Sequence, residues 1–179
     1  MSQPMHKLSD VSRLITFRVG GALYAADIAN VERVLRHETS RPVPDMPSWM
    51  EGVLEYQGRI LPVIDLRVRF GAGHHEATGG RRLLVVSLGT EWVAAAVDQV
   101  LDVRAVTAAD IAPPPAIVLG FAGEFLRGVV RRGNDLVLVL DFHRILSSSD
   151  RVSLATVTSA EQVGTGVDAS GAAECAVHG

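Results

Sequence analysis

Cysteine is nearly absent from the 179-residue sequence. The single Cys175 excludes a disulfide framework, a Cys-x-x-Cys pair and a zinc-ligand spacing. A chain of this length can bury a core without such staples, and a reducing cytoplasm is the expected location. No apolar run approaches the ~20 residues that cross a bilayer, and the opening MSQPMHKLSDVSRL lacks an apolar stretch of signal-peptide length. Any association with a membrane is therefore expected to run through a partner, with no direct insertion. Positive charge is not in surplus either: the formal net charge is -3, which gives no electrostatic reason to expect nucleic acid as a partner. Aromatics are few, with two Trp, two Tyr and five Phe, so Trp49 and Trp92 read as core residues or patch edges rather than cofactor platforms.

Motifs for chemistry are equally sparse. The glycine-rich pieces at 71–73 and 164–166 lack the lysine and the strand-to-helix context of a phosphate loop. His74, His75 and Glu76 form the only dense group of possible metal ligands. They are adjacent in the glycine-rich joint GAGHHEATGG (71–80), where a solvated linker is the expected reading. His143 follows Asp141, but no serine or cysteine sits in a recognisable nucleophile elbow. The expectation is no catalytic residue, no metal and no cofactor.

What the chain does have is a repeat. GVLEYQGRILPVIDLRVRF (52–70) lies on GVVRRGNDLVLVLDFHRIL (128–146) at a constant offset of 76, matching Gly52 to Gly128, Val53 to Val129 and Asp65 to Asp141. Upstream, ITFRVGGALYAADIANV (15–31) lies on LVVSLGTEWVAAAVDQV (84–100) at an offset of 69. Two copies of one unit result, about 14–70 and 83–146. Each is β-rich: Ile15, Phe17 and Val19 alternate with Thr16 and Arg18, and Gly20-Gly21 supplies the positive φ of a tight hairpin. A third strand is expected at 31–36, followed by a proline-broken crossing (41–44) and a short helical turn at 47–50. Short strands and hairpins without a long helical pattern point to one small barrel per unit. Units of this size are marginal alone, so a shared hydrophobic core is expected. Asp65 and Asp141 each follow the last strand of a unit, where an aspartate caps a short helix. Beyond 147 the large aromatics vanish, and 148–179 reads as a flexible tail with a weak helix near 150–162.

Residues 52–71 resemble the Gly-Val-x-Asn-Leu-Arg-Gly-x-Ile-x-Pro-Ile-x-Asp-Leu-Arg signature of the CheW-like chemotaxis coupling family. The likeness extends over 12–147, through ITFRVGGALYAADIANVERVL, VDQVLDVRAVTAADIAPPP and FLRGVVRRGNDLVLVLDFHRIL in the family's order. The resemblance implies an all-β fold of two five-stranded, SH3-like barrel subdomains around a shared core. It also implies a non-enzymatic adaptor between the cytoplasmic tip of a chemoreceptor and the regulatory domain of a CheA-type histidine kinase. Gly52, Val53, Gly58, Pro62, Asp65 and Leu66 match the signature in structural roles. The family's arginine before the turn glycine is Gln57 here, preceded by Glu55 and Tyr56, and the glutamate that partners it falls at Arg33, next to Glu32. A contact from Arg33 to Gln57 or to Glu55 is the expected substitute.

Glu55-Tyr56-Gln57 becomes Arg131-Arg132-Gly133 in the second copy, so the polar break is where the copies diverge. Tyr56, Gln57, Gly58 and Arg59, with Arg33 and Glu55, are the candidate receptor-side surface. An ordinary turn around Gly58 would account for the same residues. Val31, Val34 and Val43 form a weaker candidate apolar patch. A sensor that binds a small molecule or peptide in the cleft between the barrels is the alternative to an adaptor.

Overall fold

The structure, a computed structural model, describes residues 11–73, 80–116 and 123–164, with backbone alone for 160–164. His74, His75, Glu76 and Cys175 lie outside the described residues. Strands β1 (Val11–Val19), β2 (Ala22–Asp27), β3 (Val31–Arg36), β4 (Met50–Tyr56) and β5 (Arg59–Asp65) belong to the first unit. The second contributes β6 (Arg82–Leu88), β7 (Glu91–Val97), β8 (Gln99–Thr107), β9 (Ile111–Ala112), β10 (Leu126–Arg132) and β11 (Asp135–Leu140). Helical turns α1 (Leu66–Arg69) and α2 (Phe142–Ile145) follow β5 and β11, and α3 (Ser148–Gly164) comes last. The segment 47–50 is a turn closed by Met50 N–H donating to the Pro47 carbonyl at 3.0 Å, not a helix.

The strands form a six-stranded sheet ordered β8-β1-β2-β11-β10-β9 and a five-stranded sheet ordered β3-β6-β7-β5-β4. The SH3-like fold class read from the sequence holds, but one unit does not make one barrel. The first unit's hairpin β1–β2 sits among strands of the second unit, with β1 antiparallel to β8 and β2 parallel to β11. Reciprocally, hairpin β6–β7 completes the sheet of β3, β4 and β5. Periodicity reports which residues form strands and is blind to which strand they pair with, so the exchange left no mark in the pattern.

Both sheets roll up. Edge strands β8 and β9 are joined by the three-residue 3-10 turn Ala108–Asp110, and so short a connection brings the two edges of the sheet together. In the other sheet Arg41, beyond the end of β3, exchanges two 2.8 Å backbone hydrogen bonds with Val53 of the opposite edge strand β4. This is where the repeated Gly-Val matters. Gly52 has φ +149, and a Cβ there would overlap the Arg41 carbonyl; at Gly128 it would meet the Ala112 carbonyl oxygen at 2.7 Å.

Three apolar clusters result. Leu14, Ala25, Val137 and Val139 fill the six-stranded roll, and Val63, Leu83, Ala94 and Ala96 fill the five-stranded one. The large core between the sheets takes the opposite strand faces, among them Ile15, Phe17, Leu84, Val86 and Phe142. This shared core explains why Leu14 and Ile15 are both buried: each β1 face covers a different cluster. Thr16, on the polar side of the alternation, is likewise buried, opposite Asp102 of β8.

Asp65 accepts from Arg67 N–H at 2.8 Å and Val68 N–H at 3.4 Å, and Asp141 accepts from His143 N–H at 3.0 Å, so both cap their turns. Helix α3 corrects the reading of 148–164 as tail. Leu154 is buried in the shared core and Val157 packs against it, while Asp150 accepts from Ser147 N–H at the helix start. Arg69 ties the helix down, donating twice to the Ile145 carbonyl (3.0 and 2.7 Å) and once to Asp150 (3.0 Å). Its guanidinium lies 4.8 Å from the centre of the Trp49 ring. A segment poor in large side chains hid this, because one leucine and one valine at helical spacing suffice when polar residues hold the helix start.

Candidate functional site

The polar break is the tip of hairpin β4–β5. Tyr56 and Arg59 pair across a two-residue turn of Gln57 (φ 51) and Gly58 (φ 72), the double positive φ that matches strand twist. Glycine takes such a φ without cost; Gln57 takes it at a steric penalty. Gln57, Gly58, Arg59 and Glu55 are exposed and Tyr56 is half-buried. Gln57 Nε2 donates to the Tyr56 hydroxyl at 3.2 Å.

Trp92 of β7 makes the platform beneath the tip. Arg59 stacks its guanidinium 4.6 Å from the Trp92 ring centre, and the Tyr56 ring lies 6.5 Å from it. The sequence offers Trp92 only as a core residue or a patch edge, since β7 becomes a neighbour of β5 only through the strand exchange. Behind the platform, Arg59, Trp92, Leu154 and Thr158 line a groove of about 380 Å³ whose far wall is α3.

Arg33 does not join this group. It is exposed on edge strand β3, and no hydrogen bond or ion pair links it to Gln57 or Glu55, so the expected substitute contact does not form. The second unit carries such a pair instead. Asp102, the counterpart of Arg33 at offset 69, receives Arg104 Nε at 3.1 Å and Arg132 Nη2 at 3.0 Å. Desolvation pushes the Asp102 carboxyl up, but these two guanidiniums hold it below the usual aspartate range. Val31 and Val43 pack against the shared core and Val34 alone is exposed, so the three valines do not make one patch.

The charge cluster that sequence reading missed is half-buried at the base of β4. Arg81 donates to Glu51 at 2.6 Å and Asp65 at 3.1 Å, while His37 Nε2 meets Glu51 at 2.7 Å. Asp65, expected as a cap, is a cap and an ion-pair acceptor together. Burial, with Glu51 close by, raises the Asp65 carboxyl above its ordinary value against the pull of Arg81. Burial also acts on Glu51, but His37 and Arg81 outweigh it and lower that carboxyl. Four segments distant in sequence meet here, which no local spacing encodes. The network fastens β4 to the first residues of the second unit and so fixes the base of the hairpin.

Among the described residues no group of three or more His, Cys, Asp or Glu could hold a metal ion. His143 is exposed, and its backbone N–H serves the Asp141 cap. Among the described residues no helix is long and apolar enough to cross a membrane. The space between the sheets is filled by the shared core, which does not favour a ligand-binding cleft there.

A CheW-like domain model matches residues 13–150. The chain is 30% identical over 158 residues to a chemotaxis protein CheW of Treponema pallidum, covering 86% of this chain and 93% of the relative. It is 38% identical over 144 residues to the protein FrzA of Myxococcus xanthus, covering 78% and 88%. The crystal structure of the scaffolding protein TtCheW from Thermoanaerobacter tengcongensis superposes with a TM-score of 0.71 at 26% identity, covering 78% of this chain and 94% of that one. With the exchanged double sheet, the capped Asp65 and Asp141 turns and the divergent hairpin tip in place, this chain belongs to the CheW-like family.

Proposed function

We propose that the protein is a non-enzymatic adaptor of a chemotaxis-type signalling pathway, joining the cytoplasmic tip of a chemoreceptor to the regulatory domain of a CheA-type histidine kinase. It works in the cytoplasm and reaches membrane receptor arrays through these partners. The observation that carries the reading is the β4–β5 tip: polar side chains held outward on a tight turn, backed by Trp92, at a place where the two copies of the unit diverge. Its relatives' names, chemotaxis protein and scaffolding protein, support the same role. Glu55, Tyr56, Gln57, Gly58 and Arg59 form the receptor-side face, and Arg33, exposed on β3 and not bonded to them, is a separate candidate contact.

Binding of the full chain to a receptor-tip fragment and to the kinase regulatory domain tests this by titration. Both should form complexes, and Gln57→Ala should weaken the receptor complex about tenfold, or ~1.4 kcal/mol, while leaving thermal melting unchanged. No complex with either partner at high micromolar concentration would sink the adaptor reading. A loss of stability of a few kcal/mol in Gln57→Ala would assign that residue to the fold instead.

A further inference from the structure

Strands β5 and β7 run parallel, yet they pair only where Val63 meets Ala94, Ile64 meets Ala95 and Asp65 meets Ala96. In the sister sheet β11 and β2 pair at Val137 with Leu23, Leu138 with Tyr24 and Val139 with Ala25. Shifted by the repeat offsets, those contacts would be Leu61 with Trp92, Pro62 with Val93 and Val63 with Ala94, and the first two of them are lost. Pro62 accounts for the loss. Val53, its partner on β4, directs both of its backbone groups to Arg41, at 2.8 Å each. The pair of Val53 and Pro62 is therefore a non-hydrogen-bonded one, and the Pro62 nitrogen faces β7, where a proline has no N–H to give. In the second copy Leu138 stands at this position and the strands stay paired.

From Pro62 to the tip the two strands part, and the groove behind Trp92 is the opening between them. Side chains of both sheet faces line such an opening. Ile60 and Val93 reach it from the face that carries the shared core, Trp92 and Arg59 from the other, and Leu154 and Ala155 of α3 close the back. The polar residues of the helix wall are engaged. Thr158 and Ser159 donate their hydroxyls to the Leu154 and Ala155 carbonyls of their own helix, at 2.6 and 2.8 Å, and Glu91 faces Arg151 at 3.6 Å. Arg59 differs: it is exposed and makes no ion pair among the described residues. The Trp92 ring holds the flat side of its guanidinium, 4.6 Å away, and leaves the edge with the N–H donors open to a carboxylate.

We infer that this groove is the apolar half of the receptor-side face: it takes a large apolar side chain of the receptor segment, while a carboxylate close by on that segment meets Arg59. The inference rests on the adaptor reading and adds to it the chemistry of the partner. The Tyr56 ring lies 6.5 Å from the Trp92 ring, so a segment docked on the tip reaches the groove without leaving the surface. The apolar group leaves water in the opening, and the stacked guanidinium beside the entrance selects the residue that flanks it.

Titration of the full chain with a receptor-tip fragment tests the inference through Ala155 and Arg59, both exposed. Ala155→Trp fills the groove from the helix side and Ala155→Ser leaves it open; the first should weaken the complex about tenfold or more, and the second should not. Arg59→Gln should weaken it about fivefold to tenfold and reduce its salt dependence. Among single amide replacements of the fragment's carboxylates, one should weaken binding to the parent chain by that same factor and leave binding to Arg59→Gln unchanged. Thermal melting of each variant checks that the fold persists; should Ala155→Trp not fold, Arg59→Gln and the amide replacements decide. No complex with the parent chain would remove the receptor-side reading and this inference together. A parent complex that Ala155→Trp leaves unchanged, or in which no carboxylate of the fragment couples to Arg59, would overturn this inference alone.

Discussion

Arg81→Met is the most informative single change to the scaffold. The substitution keeps most of the aliphatic stem and deletes the guanidinium that stands 2.6 Å from Glu51 and 3.1 Å from Asp65. The three side chains are 18%, 19% and 11% exposed, so water can screen only part of the loss. Removing one partner of a fully buried ion pair costs roughly 3–5 kcal/mol; partial exposure places the expectation near the low end, at about 3 kcal/mol. That is a large share of a stability of about 5–15 kcal/mol. Urea unfolding at pH 7, followed by far-UV circular dichroism, reads it directly. The pH dependence separates charge loss from packing loss. Without Arg81 the neighbouring carboxylates of Glu51 and Asp65 repel, and the folded variant takes up a proton that the unfolded chain, with ordinary carboxyl pKa values of about 4, releases. Folded variant molecules then bind more protons than unfolded ones, so their stability falls as pH rises from 5 to 7. The deficit relative to the parent should therefore be smaller at pH 5 than at pH 7. Adding Glu51→Gln to Arg81→Met should recover part of the loss, giving a double-mutant cycle with a coupling of at least about 1 kcal/mol. A deficit under about 1 kcal/mol, or one that does not change with pH, would refute the assignment of this network as a charge-based fastening.

Other outcomes follow from the same geometry. Gly52→Ala should cost more than about 2 kcal/mol in chemical denaturation, because φ +149 and the Arg41 carbonyl both oppose a Cβ; a neutral result would mean that the edge contact yields easily. Leu154→Ala should destabilise the whole chain by about 2–4 kcal/mol in one cooperative transition, whereas separate melting of α3 would show the helix to be an appendage. Asp141→Ala should lower the melting temperature by a few degrees, corresponding to about 1 kcal/mol for a lost cap, with kinase binding retained as the check that the fold persists.

Hairpins, caps and apolar faces were legible in the sequence because each depends on neighbours a few residues away. Gly20-Gly21, Asp65 and Asp141 are of this kind. The Arg81 network and the Trp92 platform were not, since both depend on β7 and the start of β6 crossing to the other unit's strands. Helix α3 was half legible: its span was seen as a weak helix, but the burial of Leu154 depends on a groove made by distant strands. At the candidate site, Gln57 and Arg59 were placed correctly on the surface, and Arg33 was linked to them wrongly because a family's charge pair was expected to survive as another contact.

The exchange of hairpins also constrains how the chain comes into being. Ile15 finds its place opposite Val103, so when the first unit leaves the ribosome, its leading hairpin has no sheet to enter until the second unit has been made. Folding is forced to wait for the far half, and long-range closure of this kind is slow. The same geometry means that a chain nicked between the units yields two fragments, each lacking strands that only the other can supply. Mixed together, such halves would reassemble by strand complementation, and either one alone would present open sheet edges for a chaperone to cover.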